Sequence, residues 1–140
     1  MTSVWWEEEA AVHESICRRT PRRWRDKFAE AWRGVKRGIR GHSSFFVHFF
    51  FAVLALATAT VLQCTLWEWC LIILCIGLVL TAELFNSAIE TLFHGLDAES
   101  KARIKGCLDI AAGAVLIASI TAAMIGSLIF GPRLLGILWL

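Results

Sequence analysis

Three long apolar stretches dominate the chain. Residues 45–67 run for 23 positions with only His48 and Gln63 strongly polar. Residues 69–93 follow almost at once, interrupted by Glu83, Asn86 and Glu90 toward their far end. Residues 107–130 form the third stretch, with Asp109 its only charge. Each matches the roughly 20 residues that a helix needs to cross about 30 Å of hydrocarbon. The pattern therefore predicts three transmembrane helices. Trp67-Glu68-Trp69 leaves almost no loop between the first two, which should form a tight hairpin whose tryptophans sit in an interfacial aromatic belt.

Upstream, residues 22–40 carry a different rhythm. Trp24, Phe28, Ala31, Trp32, Val35 and Ile39 recur at spacings of three and four, while Arg22, Arg23, Arg25, Arg33, Lys36, Arg37 and Arg40 fill much of the rest. That is the pattern of an amphipathic helix lying on a membrane with its basic groups near anionic headgroups. A plain juxtamembrane anchor or a nucleic-acid arm would share the charge, but three spans beside it disfavour nucleic acid. Residues 1–20 are acidic and show no clear period. They lack the apolar core of a signal peptide and stay unassigned. Residues 21–140 read as a single membrane domain.

Composition agrees with the pattern. Of 140 residues 57% are hydrophobic and 19% charged, against about 45–50% apolar in soluble domains, and so small a soluble domain could not bury that much. Disorder and a disulfide scaffold are excluded on the same ground. Residues 1–44 hold ten basic and six acidic side chains, leaving ten charges for the other 96 positions. Lys101, Arg103 and Lys105 lie between the second and third spans, and only Arg133 follows the third. The positive-inside rule then places the N-terminus and the second loop in the cytoplasm and the C-terminus outside. The five cysteines are scattered singly and read as small packed hydrophobes. In the third span, Ala114, Ala118, Ala122 and Gly126 put a small residue at every fourth position, a stripe that allows close helix packing.

Acidic groups inside a span call for a reason, since each costs roughly 2.5–3.5 kcal/mol at a helix centre. Glu83, Asn86, Ser87, Glu90 and His94 fall within an arc of about 100° at 100° per residue, so they share one face. One carboxylate near the cytosol could hold a divalent cation through oxygen. A deeper, desolvated one could take a proton from a substrate hydroxyl at the interface. A hydrogen-bonded seam in an oligomer, or an ion path, would use the same stripe.

Here the residues resemble a known family. AELFNSAIETLF (82–93) and LDIAAGAVLIA (108–118), with Asp109 nineteen residues after Glu90, are similar to the signature blocks of the bacterial integral-membrane diacylglycerol kinase and undecaprenol kinase family. The resemblance extends over roughly residues 23–132, through AWRGV (31–35), Phe45 and IGSLIFGP (125–132). It implies an all-α homotrimeric bundle in the bacterial inner membrane, with three spans and a surface helix per subunit. It also implies transfer of the γ-phosphoryl group of MgATP to a lipid hydroxyl, of diacylglycerol or undecaprenol, at the cytoplasmic face.

Carried over by position, the resemblance makes Glu83 the general base, Asn86 the amide beside it and Glu90 a metal ligand. Asp109 and Glu99 fall at the nucleotide site. Arg23 and Trp32 fall at surface-helix positions associated with the lipid and nucleotide sites, Phe45 at a substrate-binding position, and His48 matches a histidine of the undecaprenol kinase branch. The chain also departs from the family pattern. His42 stands where a second metal-binding glutamate is expected, His94 replaces an aspartate, Leu108 replaces a phosphate-contacting lysine, and Phe46 falls where one branch has arginine. Lys101, Arg103 or Lys105 could restore the missing positive charge. A nitrogen ligand at His42 would favour Mn²⁺ or Zn²⁺ over Mg²⁺. The expectation is an ATP-dependent lipid kinase. Its rival is a family descendant that kept the fold as a trimeric scaffold or lipid-binding protein without turnover.

Overall fold

The computed structural model describes residues 23–41 and 44–138. Among these, four helices and no strand are found: α1 Trp24–Gly41, α2 Ser44–Val61, α3 Leu66–His94 and α4 Ala98–Leu138. The last three are long and apolar enough to cross a membrane. His42, one of the metal-ligand candidates, lies outside the described residues, as do residues 1–20.

The chain divides into two compact units, one ending at Val35 and the other beginning at Lys36. In the first, the Arg23 carbonyl accepts hydrogen bonds from the Asp26 and Lys27 amides at 3.0 and 3.3 Å, which opens α1. Trp24, Phe28 and Trp32 are all exposed on it. Lys27 sits 4.8 Å above the Trp24 ring, a cation–π contact.

The second unit is built around α3, which packs chiefly against α4 and less closely against α2. Its core is small: Phe45, Ala59, Ile72, Cys75, Val79, Ala111 and Ala118 are the buried apolar residues. Leu74, Phe85, Leu116, Met124 and other large side chains stay exposed. In a bilayer such surface needs no protein partner, because lipid tails are as apolar as leucine. Thr58, Thr60, Thr121 and Ser127 each return their hydroxyl to the carbonyl four residues earlier, at 2.8–2.9 Å, so their polarity is satisfied within the helix.

The α2–α3 hairpin turns over residues 62–65. Gln63 donates to Thr60 O at 3.2 Å and Cys64 to Ala59 O at 3.0 Å, the paired bonds of a Schellman cap. Gln63 has φ 50°, the left-handed region usually left to glycine. Helix α3 then starts at Thr65, whose amide and hydroxyl both donate to Glu68, at 2.6 and 2.9 Å. The same carboxylate meets Arg133, which comes from the far end of α4, at 2.6 Å. The Arg133 guanidinium also donates to the carbonyls of Leu62, at 2.9 Å, and Gln63, at 3.4 Å. The end of α4 is thus pinned to the hairpin turn by a fork of hydrogen bonds.

Helix α4 is longer at both ends than the apolar stretch 107–130. It begins with Asp97 as its cap, the carboxylate accepting from the Ser100 amide at 2.9 Å and its hydroxyl at 2.8 Å. These bonds hold the Asp97 carboxyl below its usual range. A break at Ile104 (φ −111°, ψ 15°) separates this first polar segment from the span. Pro132 lies inside the helix and removes one backbone bond without ending it.

Candidate functional site

The polar stripe of α3 lies near the end of the bundle opposite Arg133. Glu83 is its most buried ionisable member, 2% exposed. It is reached from α2 by two residues one helical turn apart. The Ser44 hydroxyl donates to Glu83 Oε1, and His48 Nε2 lies 3.7 Å from Glu83 Oε2. The two carboxylate oxygens therefore differ: one is held by a hydroxyl of the chain and the other faces the imidazole. Phe45, buried between these two positions of α2, fixes the helix against the bundle. Ser44 carries no signal in the sequence, since a serine at a helix start is ordinary capping chemistry.

One turn further along, Asn86 Nδ2 donates to Glu90 Oε1 at 2.8 Å. Asn86 is buried, and its Oδ1 has no hydrogen-bond partner; the buried Ser87 hydroxyl has none either. Asn86 also lines a shallow cleft between α3 and α4, with Phe85, Ile110 and Ala111 among its neighbours. The stripe is thus divided. Glu83 turns to α2, while Asn86 faces the cleft toward α4 and bonds Glu90.

The remaining candidates are placed less closely. Glu99 and Arg103 pair with each other at 2.6 Å on the exposed surface. Lys101 reaches back to the His94 carbonyl at 3.2 Å, so its charge sits at the C-terminal end of α3. Lys105 and Asp109 are exposed on α4, one turn apart and beyond the Ile104 break. No hydrogen bond or ion pair ties either to the α3 stripe among the described residues. Arg23 and Trp32 belong to the first unit, on and just before α1.

A metal cage built wholly from protein is absent: among the described residues no three His, Cys, Asp or Glu side chains gather around one point. Mg²⁺ keeps several waters and is usually held by one or two carboxylates together with substrate phosphates. The oxygens of Glu90 and the unpartnered Oδ1 of Asn86 fit that requirement.

Residues 29–130 match the family model described as prokaryotic diacylglycerol kinase. The chain is 33% identical over 107 residues to an undecaprenol kinase of Bacillus subtilis, covering 76% of this chain and 87% of that protein. It is 31% identical over 112 residues to a diacylglycerol kinase of Synechocystis, covering 79% of this chain and 64% of that protein. No solved structure matches it. With the family model spanning most of the chain and a relative aligned over most of its length, this protein belongs to the prokaryotic diacylglycerol kinase family.

Proposed function

We propose that the protein phosphorylates the hydroxyl of a membrane lipid, diacylglycerol or undecaprenol, using ATP at the cytoplasmic interface. The observation that carries this is the buried Glu83 carboxylate, held by Ser44 on one oxygen and facing His48 with the other. A carboxylate at that depth is costly in a bare helix. A base poised for an incoming hydroxyl gives it a purpose.

In this reading Glu83 accepts the lipid hydroxyl proton through Oε2 as the oxygen attacks the γ-phosphorus. The bond to the bridging oxygen breaks, and ADP leaves with that oxygen's electron pair. Glu90 and Asn86 would hold a divalent cation, with His42 as a further ligand that would admit Mn²⁺ or Zn²⁺. A bound cation supplies charge neutralisation on the phosphate oxygens. Phosphoryl transfer needs little beyond such positioning and neutralisation. Asp109, Glu99, Lys101 and Lys105 stand on the nucleotide side, the lysines answering for Leu108. Arg23, Trp32, Phe45 and His48 serve the lipid. Function as a homotrimer in the inner membrane, with the N-terminus cytoplasmic and the C-terminus outside, belongs to the same proposal.

The test is γ-phosphoryl transfer by purified protein in mixed micelles. Diacylglycerol and undecaprenol are offered separately with Mg²⁺, Mn²⁺ or Zn²⁺. Glu83→Gln should lower the rate by roughly 10²–10⁴-fold, the usual contribution of a general base. If Glu83→Gln keeps full activity, Glu83 is not the base. If folded wild-type protein labels no lipid with any metal, the scaffold reading replaces the kinase.

A further inference from the structure

Helices α2 and α4 diverge above α3 and leave a cleft of about 720 Å³ between them. Its lining is almost wholly apolar. On α4 it extends from Ser119 to Leu134, about 22 Å at 1.5 Å per residue, which is most of a hydrocarbon layer of about 30 Å. Its lining runs from His48, beside Glu83 Oε2, to Phe130 and Leu134, next to the Arg133 clamp. Midway, Ala55, Ala122 and Gly126 keep it wide.

The position of the cleft points to its occupant, because its lining begins at His48, beside Glu83. A ligand in the usual pocket range of about 300–1,000 Å³ fits. It must be long, thin and apolar, and it can carry one polar group at the His48 end. An alcohol whose hydroxyl meets Glu83 has to put its chain somewhere, and the cleft begins where that hydroxyl would be.

We propose that this cleft seats the hydrocarbon tail of the alcohol substrate lengthwise, and that Ala55, Ala122 and Gly126 set how much chain it accepts. The inference rests on the kinase reading above and adds to it a site that discriminates by tail length. The tail leaves lipid rather than water to enter, so close packing decides the outcome and the hydrophobic effect contributes little. A Cβ added at Gly126 meets nothing nearer than the Phe130 ring at 3.9 Å. A larger side chain there is therefore accommodated by the backbone and takes its volume from the cleft.

Two measurements test it. In the first, a series of single-chain primary alcohols of increasing length is phosphorylated by wild type, Gly126→Leu and Ala122→Leu. Wild type should favour longer chains up to a plateau. The long-to-short ratio of kcat/KM should fall about tenfold in the two variants, the low end of what a hydrophobic pocket gains per methylene. Met124→Leu, on the exposed outer face of α4, should keep the wild-type ratio. In the second, an alcohol with a photoreactive group at its tail end is irradiated with wild-type protein in nanodiscs without ATP. Labels on Phe130 and Leu134 support the tail site even if no phosphoryl transfer is found, in which case only the kinase reading fails. Labels confined to outward residues such as Leu116 and Ile120, or good transfer with no dependence on chain length in any variant, overturn the tail site and leave the kinase standing.

Discussion

Ser44→Ala offers the sharpest check on how Glu83 is held. The Ser44 hydroxyl donates to Glu83 Oε1, and the carboxylate is 2% exposed, so solvent has little access to it. Hydrogen bonds to charged groups contribute about 1.5–3 kcal/mol. Ser44 is itself exposed at the start of α2, and water can partly take its place. The expected cost is therefore near the low end, about 1.5 kcal/mol or roughly tenfold in the folding equilibrium. In a Glu83→Gln background the amide oxygen still accepts the bond but carries no charge. There Ser44→Ala should cost about 0.5 kcal/mol, leaving a coupling of about 1 kcal/mol. Unfolding by SDS in mixed micelles reads both numbers. The kinetic counterpart is a fall in kcat of about tenfold with little change in KM, because a misaligned base loses rate rather than lipid binding. Ser44→Thr should restore most of it. Equal costs in the two backgrounds, or a loss that appears in KM alone, would refute the idea that Ser44 aims the carboxylate.

Other positions give independent tests. Gln63→Gly should stabilise the hairpin by about 1 kcal/mol in the same unfolding assay, since a residue with a Cβ costs roughly 1–2 kcal/mol in the left-handed region. Arg133→Leu should lower the unfolding midpoint more than Arg133→Lys does, because a lysine supplies charge but cannot fork between Glu68 and the Leu62 carbonyl. The Asp97 cap should respond to acid. Its carboxyl is held below the usual range, so its contribution is complete above the unfolded pKa of about 3.9 and is lost as pH falls through the lower folded value. The Ser100 amide resonance of wild type should shift over that acidic window, and that of Asp97→Asn should not.

Hydropathy made the three spans and the tight hairpin legible, because both follow from the length and order of apolar runs. The amphipathic helix was legible for the same reason, its period being local. The carboxylate stripe could be read from spacing, yet spacing could not divide it. That Glu83 turns to α2 while Asn86 lines the α4 side depends on where the neighbouring helices lie. Ser44 went unnoticed because its importance comes from a residue 39 positions away. Arg133 read as a lone charge in a tail, though its partners are 65 to 71 residues upstream. The apolar run ending at Phe130 said nothing of a helix continuing through Pro132. His42 lies outside the described residues, so its part in metal binding rests on the metal-dependence assay.

The Arg133 fork also bears on how the chain enters a membrane. With almost no loop between them, α2 and α3 must insert as one unit, and the turn carbonyls of Leu62 and Gln63 emerge without their eventual partner. That partner is made some seventy residues later, on a helix that has to cross the bilayer by itself. Until Arg133 is in place, the Leu62 and Gln63 carbonyls lack the donor that holds them in the finished fold. Assembly acquires a direction from this: whatever departs from the translocation machinery before Arg133 is in place has its helices but not yet their final spacing, and the cleft between α2 and α4 takes its width last.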